Sequence, residues 1–144
     1  MTYEGLVTRS IAFALDAAVI NLVSIAVGAI VALGLSVLSA PDWLDTVLLA
    51  VAGAAYVIWT IAYFATFWST TGQTPGDRLM RIKVCRADDG EALGVSRSVF
   101  RLLCLALAAI PLFAGFLPIL FDDRRRGVHD MLAGTVVIAA ERAD

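Results

Sequence analysis

The sequence predicts an all-α membrane protein: an antiparallel transmembrane helix hairpin, then a proline-broken third hydrophobic segment and a small polar loop with short strands. Three observations carry this. Apolar residues make up 60% of the 144 residues, and the mean hydropathy is +0.83. Soluble domains run at roughly 45–50% apolar, and one this small has too much surface to hide the excess. The apolar residues also fall in long unbroken runs, two of which exceed the ~20 residues needed to cross a bilayer. Finally, the basic residues are absent from the turn between those runs.

The first run is Ile11–Leu38, within a helix expected over about 10–38 and interrupted by Asp16, Asn21 and small residues. It is longer than the roughly 7–15-residue core of a signal peptide, and Ala40-Pro41 is a poor cleavage site, so it reads as an uncleaved anchor. The second run, Thr46–Trp68, has 23 residues and no charge. Backbone groups in lipid must be satisfied internally, which makes both runs helices. The polar turn Ser39–Asp45 joins them as a hairpin. Trp43, Tyr63 and Trp68 lie near its ends, where amphipathic rings favour the membrane interface. Gly28 with Ala32, and Ala50 with Ala54, offer small surfaces for close helix contact.

The polar loop covers 69–97. In it Thr74-Pro75-Gly76-Asp77 reads as a helix start, with Thr74 as N-cap, Pro75 in the first helical position and Asp77 closing a capping box. Ile82 and Val84 alternate with Arg81 and Lys83 as a short strand, and Asp89-Gly90 is a hairpin-turn signal. Thr135–Ile138 in the tail, 122–144, is also strand-like. A small sheet from these pieces is expected. The whole chain, 1–144, reads as one membrane domain.

The third run, Val99–Phe121, has Arg101 in its first turn and Pro111, Gly115 and Pro118 in its second half. It either spans or re-enters. All 11 basic residues lie outside the Ser39–Asp45 turn, which carries two aspartates. By the positive-inside rule the turn faces outward, and the N-terminus and the 69–97 loop face the cytoplasm. A straight third crossing would put Arg124, Arg125 and Arg126 outside. A re-entrant hairpin keeps every basic residue on one side, and is the preferred reading.

Composition excludes some functions. A net charge of −2 leaves no basic footprint for nucleic acid. Cys85 and Cys104 form neither a metal-ligand spacing nor a disulfide framework. Gly72-Gln73-Thr74-Pro75-Gly76 lacks the Gly-Lys-Ser/Thr ending of a P-loop, and no nucleophile elbow or zinc-protease helix occurs. No enzyme, cofactor or metal is expected.

The residue singled out for chemistry is Asp16. A carboxylate within a transmembrane helix costs about 2.5–3.5 kcal/mol on insertion scales, so it needs a partner or a function. Arg9 shares its helix face but lies about 10.5 Å away along the axis; Arg101 is a candidate to bridge them. Two readings stand: an ion-pair lock that fixes helix packing, which is favoured, and a cation or proton site. The second cluster is Arg126-Gly127-Val128-His129-Asp130. Here Asp130 is expected to accept from an arginine or the backbone, while Arg124, Arg125 and Arg126 meet anionic headgroups.

Taken in order, Arg9, Asp16, the loop Gly72-Gln73-Thr74-Pro75-Gly76-Asp77-Arg78-Leu79 and the ending Arg126–Asp130 with Ala133–Val137 resemble the RDD family of membrane proteins. The name refers to one arginine and two aspartates, and Arg9, Asp16 and Asp130 match those places. Asp77 departs from the pattern, which usually has lysine there. The resemblance implies a multi-pass protein of the plasma or inner membrane with a role in transport, as a homo-oligomer or as an accessory subunit of a larger complex. The other class of function open to it is structural: stabilising another membrane complex.

Overall fold

A computed structural model describes residues 2–38, 41–111 and 114–140. Helix α1 runs Leu6–Leu38 and α2 runs Asp42–Thr70. Within them Leu6–Val37 and Trp43–Thr70 are long and apolar enough to cross a membrane. The expected hairpin is therefore present; α1 starts before its apolar run at the loop end, and α2 extends past its own at both ends.

Past α2 the chain reverses at Gly72, whose φ of +71° suits glycine. Its N–H caps α2 by donating to the Phe67 carbonyl, and its own carbonyl accepts from Val84. The turn thus ends the helix and seats the next strand in one step. Helix α3 (Pro75–Leu79) follows, opened by the expected capping box: Thr74 Oγ1 accepts from Asp77 N, and Asp77 Oδ2 accepts from Thr74 N, each at 3.1 Å. Gly76 sits against α1 so closely that a Cβ there would overlap the Ala12 carbonyl and the Asp16 carboxyl.

Strand β1 (Ile82–Arg86) pairs antiparallel with β2 (Thr135–Ala139), with Ile82 opposite Ala139 and Arg86 opposite Thr135. The sheet joins the expected pieces, but the expected hairpin does not form. Asp88-Asp89-Gly90 does turn the chain, with Arg86 N donating to Glu91 O at 2.9 Å. The returning Glu91-Ala92-Leu93 is poor in strand formers and leads at once to Gly94, the N-cap of α4. The free edge goes to β2 instead, about fifty residues on in sequence. The first residues join the same sheet: Glu4 N donates to Val137 O, Ala139 N donates to Thr2 O, and Tyr3 bridges to Ile138.

The third hydrophobic segment is bent. Helix α4 (Val95–Ala109) and a 3₁₀ helix (Ala114–Leu120) meet at 103°. At the bend's near side Gly115 lies against Ala108 with no room for a Cβ. Helix α5 (Val128–Ala133) then leads into β2.

The core lies at the loop end of the hairpin, where Ala12, Ile20, Tyr63, Phe64 and Trp68 meet Ile82, Val84, Leu93 and Val137. The far halves of α1 and α2 are different in kind. Ile25, Ile30, Leu33, Val47 and Leu49 are all exposed. An apolar surface that size is untenable in water and ordinary in hydrocarbon. Gly28 and Gly53 face open space, and Ala32, Ala50 and Ala54 are exposed, so the small-residue positions make no close helix contact within the chain. Of the three interfacial aromatics expected, Trp43 is exposed, whereas Tyr63 and Trp68 are buried in the core.

Candidate functional site

Two buried carboxylates organise the loop end of the molecule, and they are served differently. Asp130 stands in the first turn of α5, where the helix N-terminus favours a negative charge. Arg9 Nη1 donates to its Oδ2 at 2.5 Å and Arg101 Nη2 to its Oδ1 at 2.8 Å. Arg101 Nε, Thr135 Oγ1 and Gly127 N add donors at 3.2 Å. Asp130 is wholly buried. Burial alone would push its carboxyl up, but Arg101, His129 and Arg9 outweigh this and hold it below the usual carboxylate range. The two arginines are held in turn. Arg9 gives Nε to the Glu4 carbonyl and Nη2 to the Arg125 carbonyl, while Arg101 stacks on the Trp68 ring with Cζ 4.4 Å from its centroid.

Asp16 is 1% exposed and takes three neutral donors. Tyr63 Oη donates to Oδ1 at 2.8 Å, Gly76 N to Oδ1 at 2.8 Å, and Thr74 Oγ1 to Oδ2 at 2.5 Å. Thr74 links it to Asp77, which caps the same turn. Burial pushes the Asp77 carboxyl up, against the lowering pull of its bonds to Thr74.

The expected lock at Asp16 is therefore corrected. Arg9 and Arg101 do come together, but on Asp130, and no arginine pairs with Asp16 among the described residues. The reason is geometric. Arg9 lies almost two turns before Asp16, and its guanidinium meets α5 rather than its own helix face. The Asp16 charge is met by dipoles from α2 and α3. Sequence reasoning missed Tyr63 as a ligand of Asp16, having read it as an interface anchor, and missed Trp68 as the platform under Arg101. Their signal was an offset of five residues within α2, which puts the hydroxyl and the indole on neighbouring turns.

Of the arginines read as headgroup contacts, Arg124 and Arg125 are exposed. Arg126 is drawn into a pair with Asp122 at 3.0 Å. That arginine holds the Asp122 carboxyl down at about 2. His129 is 2% exposed and its Nδ1 has no partner. Burial lowers its pKa to about 4, so it is neutral at pH 7. Its Nε2 lies 3.5 Å from Asp130 Oδ2. Cys85 and Cys104 are free and buried.

Both carboxylate systems border one cavity of about 1050 Å³ between α1, α2, α4 and the 3₁₀ helix. Arg9, Asp16, Asp77, Arg101 and His129 contribute to its wall, and the remainder is mainly apolar.

A proline-rich antigen homolog of Mycobacterium tuberculosis is 34% identical over 91 residues, covering 63% of this chain and 37% of that protein. An uncharacterised protein of Rickettsia prowazekii is 33% identical over 86 residues, covering 59% of this chain and 47% of its own length. The proline-rich antigen of Mycobacterium leprae is 31% identical over 84 residues, 58% of this chain and 32% of that one. The chain thus spans less than half the length of these relatives. No solved structure matches it. The model of the RDD family matches residues 3–134, which include Arg9, Asp16 and Asp130. With two apolar helices of spanning length, the chain belongs to the RDD family of multi-pass membrane proteins.

Proposed function

We propose that this chain is a non-enzymatic, transport-associated component of the plasma or inner membrane that works as a homo-oligomer or as an accessory subunit. The observation that carries this reading is the cavity: charged and apolar groups share the wall of one space of about 1050 Å³. A lock that only held helices together would gain by closing such a space, since protein interiors fill voids. Two spanning helices and a bent pair do not by themselves enclose a path across a membrane, so movement of a solute requires further copies or a partner. The exposed far halves of α1 and α2 leave room for either. In the proposed orientation the N-terminus, the 69–97 loop and the tail face the cytoplasm, and the bent segment re-enters.

Pull-down in a gentle detergent, with identification and counting of co-purifying chains, tests the reading. A stoichiometric complex with other chains supports the accessory role, a pure homo-oligomer supports self-contained transport, and a lone monomer defeats both. Single-cysteine labelling with the native cysteines removed tests the orientation. Outside reagent reaching position 142 but not position 88 would mean a third crossing.

A structural role stabilising another complex is favoured by one observation, the complete hydrogen bonding of Asp130. Cation- or proton-coupled transport through Asp16 is favoured by another: its charge meets no arginine and it borders the cavity. An Asp16→Asn variant that folds and assembles but loses function would select that last reading.

A further inference from the structure

The cavity wall holds donors that lack acceptors. Arg101 gives Nε and Nη2 to Asp130 and Thr135, and its Nη1 takes no partner among the described residues. Beside it, Trp68 Nε1 is buried with no hydrogen bond among the described residues. Both residues line the cavity, and each is less than a twentieth exposed. Buried polar groups in native proteins are nearly always paired, and an exception calls for a bound group that pairs it.

Charge points the same way. Arg9 and Arg101 share a single carboxylate, so their cluster carries one positive charge in excess. Asp16 and Asp77, which also line the cavity, do not cancel it by contact, because the Asp16 oxygens are turned to Tyr63, Thr74 and Gly76 and Asp77 Oδ2 accepts from Thr74 N. The planar guanidinium is shaped for a two-oxygen acid. Around this polar end the wall is hydrocarbon, including Phe13, Phe64, Leu102, Leu105 and Ile119. A volume of about 1050 Å³ is at the upper end of small-molecule sites. A small soluble anion would leave most of it empty.

We propose that this cavity binds an acyl-chain amphiphile with an acidic head, a carboxylate or a phosphate, seated on the free edge of Arg101 beside Trp68. The chain lies along the apolar wall between α1 and α4. The inference goes beyond the transport reading and does not need it, because a protein that holds such a molecule without moving anything would satisfy it equally.

The full chain carries three tryptophans, Trp43, Trp59 and Trp68. With Trp43→Phe and Trp59→Phe, emission in detergent reports from Trp68 alone. Three brominated quenchers with matched chains are added: dibromostearate, dibromo-phosphatidylglycerol and an uncharged dibromo-monoacylglycerol. The expected result is saturable quenching by an acid-headed probe, with a half-saturation at least tenfold lower than for the uncharged one. Saturation by the fatty acid alone, or by the phospholipid alone, supports the site and names its source. Arg101→Gln should weaken the acid-headed probe about tenfold and leave the uncharged one alone. Ala109→Phe, which places a ring in the apolar end of the cavity without touching the ion pairs, should raise the half-saturation of the acid-headed probe severalfold, and it keeps the test decisive where Arg101→Gln does not fold. Equal quenching by all three probes, no quenching, or an unchanged curve in Ala109→Phe overturns the proposal.

Discussion

Asp16 and Asp130 are both buried carboxylates, at opposite ends of the chain in sequence and at the same end of the molecule in space. Asp130 is balanced by full charges, Arg9 and Arg101. Asp16 is balanced by three dipoles, a phenol, a hydroxyl and a backbone N–H. The difference follows from what can be brought to each place. Asp130 lies on a short helix in the tail, within reach of arginines from two other elements. Asp16 lies inside a spanning helix, where a cation brought to meet it would itself need burial. A helix N-terminus and two side-chain hydroxyls meet the charge without adding a second ion to desolvate. One site is an ion-pair cluster, and the other is a carboxylate held by neutral donors.

The largest effect should come from Asp130→Asn, which leaves two buried arginines against one neutral amide. A loss of about 3–5 kcal/mol is expected, read as thermal stability in detergent. In a cycle with Arg101→Gln the losses should be non-additive by 0.5–3 kcal/mol, the range for contacting groups. The comparison breaks if Asp130→Asn is nearly neutral.

Asp16→Asn should lose about 1–3 kcal/mol, because an amide N–H would face a donor. Its cycles with Arg9→Gln and Arg101→Gln should be additive within about 0.5 kcal/mol. Strong coupling to either arginine would erase the distinction between the two sites. Gly76→Ala sharpens it from the backbone side. The added Cβ overlaps Ala12 and Asp16, and small-to-large changes of this kind cost about 1–3 kcal/mol. Here the loss should be smaller in the Asp16→Ala background, which removes half of the clash.

The most gradual effect, spread over more than two pH units, is a pH dependence of the Asp130 cluster. The folded pKa of His129 lies at about 4, below its ordinary 6.5. The unfolded chain therefore binds the proton first, and stability falls as pH drops from 6.5 towards 4, by at most about 1.4 kcal/mol per pH unit. Asp130, itself held low, loses its contribution only at more acid pH, as pH falls through its folded value. His129→Gln should flatten the first part of the curve while leaving the second. An unchanged slope between pH 6.5 and 5 in that variant would remove His129 as the cause.

Much of the fold was legible in the residues. Run length identified both spanning helices, the Thr74–Asp77 spacing identified α3 and its capping box, and β1 and β2 were visible as alternating or β-branched stretches. These are local properties. What was not legible is who partners whom. Arg9 and Asp16 share one helix face, so a lock was expected there with Arg101 as the bridge, whereas the actual partner of Arg9 is 121 residues away. Tyr63 and Trp68 carried the composition of interface residues, and only the approach of α1 and α4 gave them charged partners, Asp16 and Arg101. The Asp89-Gly90 turn was real, but a turn does not choose the strand that follows. The cavity has no sequence signature at all, because it is the space left where four elements fail to meet.

The separation between Arg9 and Asp130 also sets an order of events in synthesis. While α1 enters the membrane, the carboxylate that will neutralise Arg9 has not yet been made. Nor have Tyr63, Thr74 and Gly76, which will satisfy Asp16. Arg9 thus becomes a buried structural ion only once the tail has folded back, and the contact it then makes with Asp130 ties the start of the first spanning helix to a segment made 121 residues later.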